Sequence, residues 1–417
     1  MRLRFCLGSM LCLLASYSRA GAQEPLTWEK VRDRFEANNP TLRAARLNVL
    51  ESKAQEISAY LRPNPNLSLS ADQIDPFPGG PPHGPFAYLL PLATLNYLHE
   101  REHKRELRLQ SAQAATAIAE SGQADLERTL LFSLRTVFVR TLQAKAVLRV
   151  AKENLTYYDQ LLEVSRERLK AGDIARIDLD RLELQRVQFE TDLQTAEVDL
   201  RTSKIQLLAL LNERTPVEQF DVIGLFDFTE PIPPLEEFRK IALDTRPDLK
   251  AAMKAVDKAT TDHKLAVANG STDPTFSFDV GRNPPIDAYI GAGVSIPLRI
   301  FDRNQGEKQR TQVDIDRSQR LLEAAQAQVF SDVDSAYAMV NSNLTLLRPY
   351  KARYLQQAVT VRDTVAFAYQ HGGASLLDFL SAENDYRSIE LNYVNLVGAY
   401  LTATSQLNLA VGREVIP

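Results

Sequence analysis

Few residues in this chain have the types and spacing that could do chemistry. His99 and His103 stand four apart beside Glu100 and Glu102, a spacing that on a helix offers two imidazoles to one metal ion. The same stretch is dense in charge (Arg101, Lys104, Arg105, Glu106) and follows a strand-like run, which makes it a solvated helix start rather than a metal site. Asp178 and Asp180 lie two apart, on different faces of a helix, so they are no acid/base pair. Gly291-Ala292-Gly293 lacks the third glycine and the following helix of a dinucleotide loop. No serine nucleophile elbow occurs. The expectation is no enzyme, no cofactor and no bound metal. Two acids stand out by position instead: Asp178 and Asp378 each open a long helix just after a glycine-marked break.

The N-terminus has the pattern of a secretory signal. Arg2 and Arg4 precede an apolar run from Phe5 to Leu14, about ten residues and too short to span a bilayer. Ala20-Gly21-Ala22 supplies a small-x-small cleavage pattern, so residues 1–22 are expected to be removed. Both cysteines, Cys6 and Cys12, fall inside that segment, which leaves no disulfide or thiol chemistry for the exported chain. Without Arg2, Arg4 and Arg19 the formal charge moves from −4 to −7, an acidic balance that argues against nucleic acid as a partner. No later run of about 18 apolar residues exists, so a membrane role would have to come from strands.

The elements that position Asp178 and Asp378 are written twice. Pro40-Thr41-Leu42-Arg43-Ala44-Ala45 recurs as Pro247-Asp248-Leu249-Lys250-Ala251-Ala252, and Pro65-Asn66-Leu67-Ser68-Leu69 as Pro274-Thr275-Phe276-Ser277-Phe278. Pro91-Leu92 recurs as Pro297-Leu298, and Gly172 before Ile177-Asp178-Leu179 as Gly373 before Leu377-Asp378-Phe379. Four markers returning in order mean a long-period duplication. The expected organisation is a first repeat over 23–212, a proline-rich connection over 213–234 and a second repeat over 235–417. Each half carries a medium helix, two strands, a very long helix, a glycine break and another long helix.

The long helices step their apolar positions alternately by three and four. Leu148, Ala151, Leu155, Tyr158, Leu162, Ser165 and Leu169 do so in a helix expected from about His99 to Lys170, which would be on the order of 100 Å long. Leu179, Leu182, Arg186, Phe189, Leu193, Ala196, Leu200, Ser203, Leu207 and Leu210 continue after the glycine. A sustained repeat of 3.5 predicts coiled-coil packing of antiparallel hairpins.

The strands decide function. Phe276, Phe278 and Val280 alternate with Ser277, Asp279 and Gly281, and Ile290, Ala292 and Val294 alternate with Tyr289, Gly291 and Gly293. In the first half the strands are expected at about Asn66–Gln73 and Phe86–Leu92, joined by the Pro/Gly loop of residues 75–85. Four such strands either form a small sheet against the helices or turn their apolar side to lipid. The second case requires a closed barrel, so copies must pool strands: eight from a dimer, twelve from a trimer. Gly291, Gly293, Ser277 and Ser68 on the polar side suit an open interior.

Signal, duplicated strand-strand-hairpin halves, glycine-marked tips and a proline-rich middle together resemble the TolC-type outer membrane efflux proteins over essentially the whole mature chain. The resemblance implies a mainly α chain with a small β part. It implies a homotrimer with a twelve-stranded barrel in outer membrane lipid and a helical barrel in the periplasm, partnered by a periplasmic adaptor (membrane fusion) protein and an inner-membrane pump of RND type. It implies a passive exit duct for heavy-metal ions or small toxic molecules. The lean length and the ending Gly412-Arg413-Glu414-Val415-Ile416-Pro417 look more like the CzcC-type branch, associated with heavy-metal efflux. The family's tip motif, Leu-Asp-x-Leu-Asp-Ala, is matched by Leu377-Asp378-Phe379-Leu380-Ser381-Ala382, in which Ser381 replaces the second acid. By that match Asp378, with Asp178 as its first-half counterpart, falls at the periplasmic gate, although each acid also suits a helix N-terminus. Gly172, Asp173, Ile174, Gly373, Ala374, Ser375 and Leu376 fall where the family meets its adaptor. Leu67, Leu69, Phe276, Phe278, Ile290 and Val294 fall on the lipid side. The alternative is a periplasmic coiled-coil structural or adaptor-like protein that never enters a membrane.

Overall fold

The computed structural model describes residues 24–74, 76–77, 85–86, 88–230, 232–283 and 285–416. The expected signal, residues 1–22, and most of the loop 75–85 lie outside the described residues. The order of elements is α1 (Trp28–Asn38), α2 (Pro40–Tyr60), β1 (Asn66–Asp72), β2 (Leu90–Leu98), α3 (Lys104–Ala171), α4 (Arg176–Leu210), α5 (Leu235–Thr245), α6 (Pro247–Asn269), β3 (Thr275–Asn283), β4 (Ile286–Ser295), α7 (Gln305–Pro349), a π-turn (Tyr350–Tyr354), α8 (Leu355–Gln370) and α9 (Leu376–Val411). The duplication is plain in this order: α1 to α4 with β1 and β2, then α5 to α9 with β3 and β4.

Both medium helices begin with proline, whose fixed φ suits the first turn and whose missing N–H is no loss there. Asn39 caps α2, its Oδ1 accepting from Thr41 N at 2.9 Å and Leu42 N at 3.1 Å. The second copy replaces that cap with Arg246, whose buried guanidinium donates to Asp248 Oδ1 at 3.0 Å, Asp332 Oδ2 at 2.8 Å and Ala410 O at 3.2 Å. One arginine thereby ties α6, α7 and α9 at their crowded end.

The chain divides into two compact units. The first holds the described residues up to Ala37 together with Val137–Phe226. In it α3 and α4 form a hairpin along the expected seam: Tyr158, Leu162, Leu179, Leu182, Phe189, Ala196, Ser203 and Leu207 are all buried. Tyr158 stacks on Phe189 with centroids 4.6 Å apart and donates to Leu182 O at 3.2 Å. The connection after α4 runs back beside Leu26, which pairs with Val222 in a single parallel bridge. Lys145 Nζ fastens it, donating to Asp221 Oδ2 at 2.7 Å and Val222 O at 2.8 Å.

The second unit holds Asn38–Thr136 and Asp227–Pro417, and with them the sheet. Its helical core is α7 against α9, with Val329, Val333, Ala336, Val340 and Leu347 facing Val397, Tyr400, Thr404, Leu407 and Val411. The second row steps alternately by three and four along α9. Two details differ from expectation. The first long helix starts at Lys104, not His99, because Glu102 and His103 take left-handed backbone (φ 58° and 53°) and turn the chain before the helix can begin. The second long helix is not continuous. Pro349 cannot donate to the preceding turn and its ring crowds that turn's carbonyl, and the chain answers with the π-turn, where Leu355 N–H reaches Tyr350 O.

Candidate membrane wall and hairpin tips

The four strands form one antiparallel sheet in the order β1-β2-β3-β4. Its register sorts the residues by face. Leu67 faces Leu95, which faces Phe278, which faces Ala292. Leu69, Ala93, Val280 and Ile290 make the next row, and Tyr97, Phe276 and Val294 another. The opposite face carries Ser68, Thr94, Asp279 and Gly291, then Asn66, Asn96, Ser277 and Gly293. One side is therefore almost wholly apolar and the other polar or bare. All six side chains expected on lipid stand on the apolar side, with exposures from 47 % (Phe276, Phe278) to 76 % (Leu69). Among the described residues no helix covers them, which removes the reading of a small sheet with its apolar side on the helices. A side chain at Gly293 would meet Ser277 Oγ at 2.6 Å, so the Ser277 hydroxyl would have to turn away to admit it. β1 and β4 each pair on one side only, which leaves two open edges.

The first-half strand expected at Phe86–Leu92 lies later, at Leu90–Leu98. Pro91 is thus inside β2, whereas Pro297 lies beyond β4, and the two are not equivalent. Pro91 is tolerated because the β2–β3 ladder begins only at Leu92. The alternation Ala93, Leu95, Tyr97 against Thr94, Asn96 was the readable signal for the true strand.

The hairpin tips share one design. Gly172 (φ +85°) ends α3, with its N–H donating to Leu169 O at 3.1 Å and Asp173 N–H to Arg168 O at 2.9 Å. At the second tip Gly372 (φ +76°) donates to Tyr369 O at 3.2 Å and Gly373 N–H to Ala368 O at 2.7 Å. Both are Schellman closures, which need glycine at the left-handed position. The structural equivalent of Gly172 is therefore Gly372, which the sequence comparison passed over in favour of its neighbour Gly373. From there the halves align without a gap: Asp173 with Gly373, Ile174 with Ala374, Ala175 with Ser375, Asp178 with Asp378.

The next helices start differently. Ser375 and Asp378 form a full capping box on α9: Asp378 N donates to Ser375 Oγ at 3.1 Å, Ser375 N to Asp378 Oδ2 at 3.1 Å and Ser375 Oγ to Asp378 Oδ2 at 2.7 Å. The Ser375 hydroxyl and then its backbone N–H hold the Asp378 carboxyl below the usual carboxylate range. Ala175 offers α4 no such cap, and Asp178 instead lies 4.0 Å from Arg181. Leu376, the first residue of α9, is buried. Beneath the second tip Phe379 is fully buried and stacks on Tyr369 at 5.3 Å.

His99 and His103 do not converge. His99 follows β2, its N–H donating to Pro274 O at 3.0 Å, and His103 is exposed in the turn before α3. Among the described residues no cluster of three metal-capable side chains occurs. The base of the sheet is held by charge instead. Buried Lys104 donates to Asp273 Oδ2 at 2.6 Å and Ser271 O at 3.1 Å, and Arg101 N–H donates to Asp273 Oδ1 at 2.9 Å. Burial raises the Asp273 pKa, but Lys104 and the Arg101 N–H outweigh it and leave the carboxyl below its ordinary value.

The π-turn is strapped to residues 227–230. Lys351 Nζ donates to Asp227 Oδ2 at 2.5 Å and lies 4.8 Å from the Phe228 ring centroid, and Arg348 Nε donates to Glu230 Oε1 at 2.9 Å. Neither this strap nor the break at Pro349 was read from the sequence, although a proline within a long heptad run was the available signal.

Comparison with known proteins agrees with this architecture. Residues 239–413 match the family model of the outer membrane efflux proteins. The chain is 21% identical to the cobalt-zinc-cadmium resistance protein CzcC of Cupriavidus metallidurans, over 94% of this chain and 91% of that one. The solved structure of CusC superposes with a TM-score of 0.78 at 20% identity, covering 96% of both chains. The outer membrane protein VceC of Vibrio cholerae gives 0.76 at 17% identity, covering 93% of this chain and 96% of that one. With an apolar-faced sheet that no helix covers among the described residues and two glycine-closed hairpin tips, the chain has the fold of the outer membrane efflux channels, and its second half matches their family model.

Proposed function

We propose that three copies of this chain assemble into a closed duct that passes heavy-metal ions, or other small toxic molecules, from a periplasmic adaptor and an inner-membrane pump of RND type to the outside. The observation that carries this reading is the two-faced sheet with open edges at β1 and β4. Hydrocarbon tolerates no unpaired strand edge, so β1 of one copy must pair with β4 of the next. Three copies give twelve strands, wide enough for an aqueous interior lined by Ser68, Thr94, Ser277, Gly291 and Gly293. An exposed stripe on α4, Ile177, Leu184, Thr191, Val198 and Ile205 at strict seven-residue spacing, supports helix packing between copies as well.

In this reading the repeat boundaries fall near 23–212 and 235–417. Asp378, with Asp178, stands at the periplasmic gate, and a ring of three acids there would favour cations over anions. The tips from Gly172 to Ile174 and from Gly373 to Leu376 meet the adaptor. The duct uses no energy itself. The name of the Cupriavidus relative supports a divalent metal cargo.

The test is assembly and conduction. Outer-membrane extracts run unheated should show a trimer, and the purified trimer should conduct in planar bilayers with cation preference. A deletion strain challenged with cobalt, zinc, cadmium and a drug panel identifies the cargo. A soluble monomer without conductance would favour the periplasmic coiled-coil alternative and end this proposal.

A further inference from the structure

Glu383 lies on α9, about two turns from the second tip, and is 2% exposed. Both of its carboxylate oxygens are buried and accept no hydrogen bond among the described residues. An ionised carboxylate in that position would lack water and any direct partner, a costly arrangement. The charged groups that face it are Arg362 and Asp363 from α8, and Arg387 and Glu390 from α9. They nearly cancel. Arg362 is also engaged elsewhere, its Nε donating to Asp363 Oδ1 at 3.0 Å and its guanidinium lying 4.1 Å from the Tyr386 ring centroid. The packed hairpin therefore suits the neutral acid and not the anion.

We propose that Glu383 is a proton-binding site that keeps α8 packed on α9 when protonated and loosens the hairpin when ionised. Burial carries the largest weight and pushes the carboxyl from its ordinary 4.5 up to about 7. Between those values the packed hairpin binds more protons than the loosened one. Packing is thus tightest in acid and weakens as pH rises through that window. The site lies just behind Phe379 and the capping box, so loosening there frees the second tip. The ligand is the proton, and the outcome is a tip firm below about pH 5 and yielding near and above pH 7. The link to a gate rests on the proposed function.

Hydrogen exchange followed by mass spectrometry on the full-length assembly tests the site. After correction for the intrinsic pH dependence, protection of the α8 amides in the wild type should fall on the order of 100-fold between pH 4.5 and 8. In Glu383→Gln, a neutral mimic of the protonated acid, protection should stay high throughout. A wild-type profile that is flat, or an equal fall in both proteins, overturns the proposal. If Glu383→Gln fails to assemble, Arg362→Gln decides: loss of its positive charge should move the wild-type midpoint to higher pH, and an unmoved midpoint overturns the idea. Exchange reads the hairpin alone, so a failure here is distinct from an absence of conduction or of trimers.

Discussion

Tyr400 and the backbone of Thr229 satisfy each other in both directions. The Tyr400 hydroxyl donates to Thr229 O at 3.0 Å and accepts from Thr229 N at 3.3 Å. A side chain of α9 thereby pins the connecting segment next to the strap on the π-turn. Tyr400→Phe leaves both backbone groups without that partner and should cost about 1–3 kcal/mol. The check is the temperature at which the assembly dissociates on unheated-type gels after stepwise warming. An unchanged temperature would mean that water replaces the hydroxyl.

The capping box separates two roles of Asp378. Ser375→Ala removes the box and should weaken the start of α9 by about 1 kcal/mol, with ion selectivity unaltered. Asp378→Asn keeps a capping side chain but loses the charge, so in the proposed trimer it should reduce cation preference. Because the carboxyl sits below its usual range, its contribution is full above the unfolded value of 3.8 and is lost as pH falls through the lower folded value. Bilayer reversal potentials for the two variants tell the roles apart. Equal selectivity in both would confine Asp378 to capping.

Glycine is required by conformation at Gly172 and Gly372 but not at Gly373. Gly372→Val should destabilise the second tip by about 1–2 kcal/mol through its left-handed backbone, while Gly373→Ala should be neutral to folding. For a bulky residue at Gly172 or Gly373 we expect loss of resistance with trimers intact, since the change falls on the proposed adaptor contact. Resistance assays paired with trimer gels decide between folding and docking.

The two faces of the sheet should respond oppositely to charge. Phe278→Arg places a cation on the apolar face and should cost about 2–4 kcal/mol near the bilayer centre, with little protein reaching the outer membrane. Ser277→Asp, one residue away on the polar face, should be tolerated and should raise cation preference. Comparable loss of both variants would contradict the assignment of faces.

Much of this was legible in the residues because it rests on local periodicity. The α4 seam from Leu179 to Leu207 and the alternation through Phe276 and Phe278 follow directly from periods of 3.5 and 2. What escaped depended on backbone detail or on partners distant in sequence. β2 was placed too early, and only the pairing with β1 and β3 shows how Pro91 is accommodated within it. Gly372 was passed over because two adjacent glycines cannot be ranked without φ. The burial of Glu383 comes from α8 packing on α9, and nothing in a charged-looking stretch of Ser381 to Arg387 announces it.

The two tips began as copies and have parted. One carries a serine–aspartate cap, a stacked aromatic pair and a hidden acid; the other has alanine, an aliphatic counterpart and an open ion pair. A partner that recognises one tip by its serine–aspartate cap therefore finds no equivalent at the other, and a mate for both would have to offer two different surfaces to the same chain.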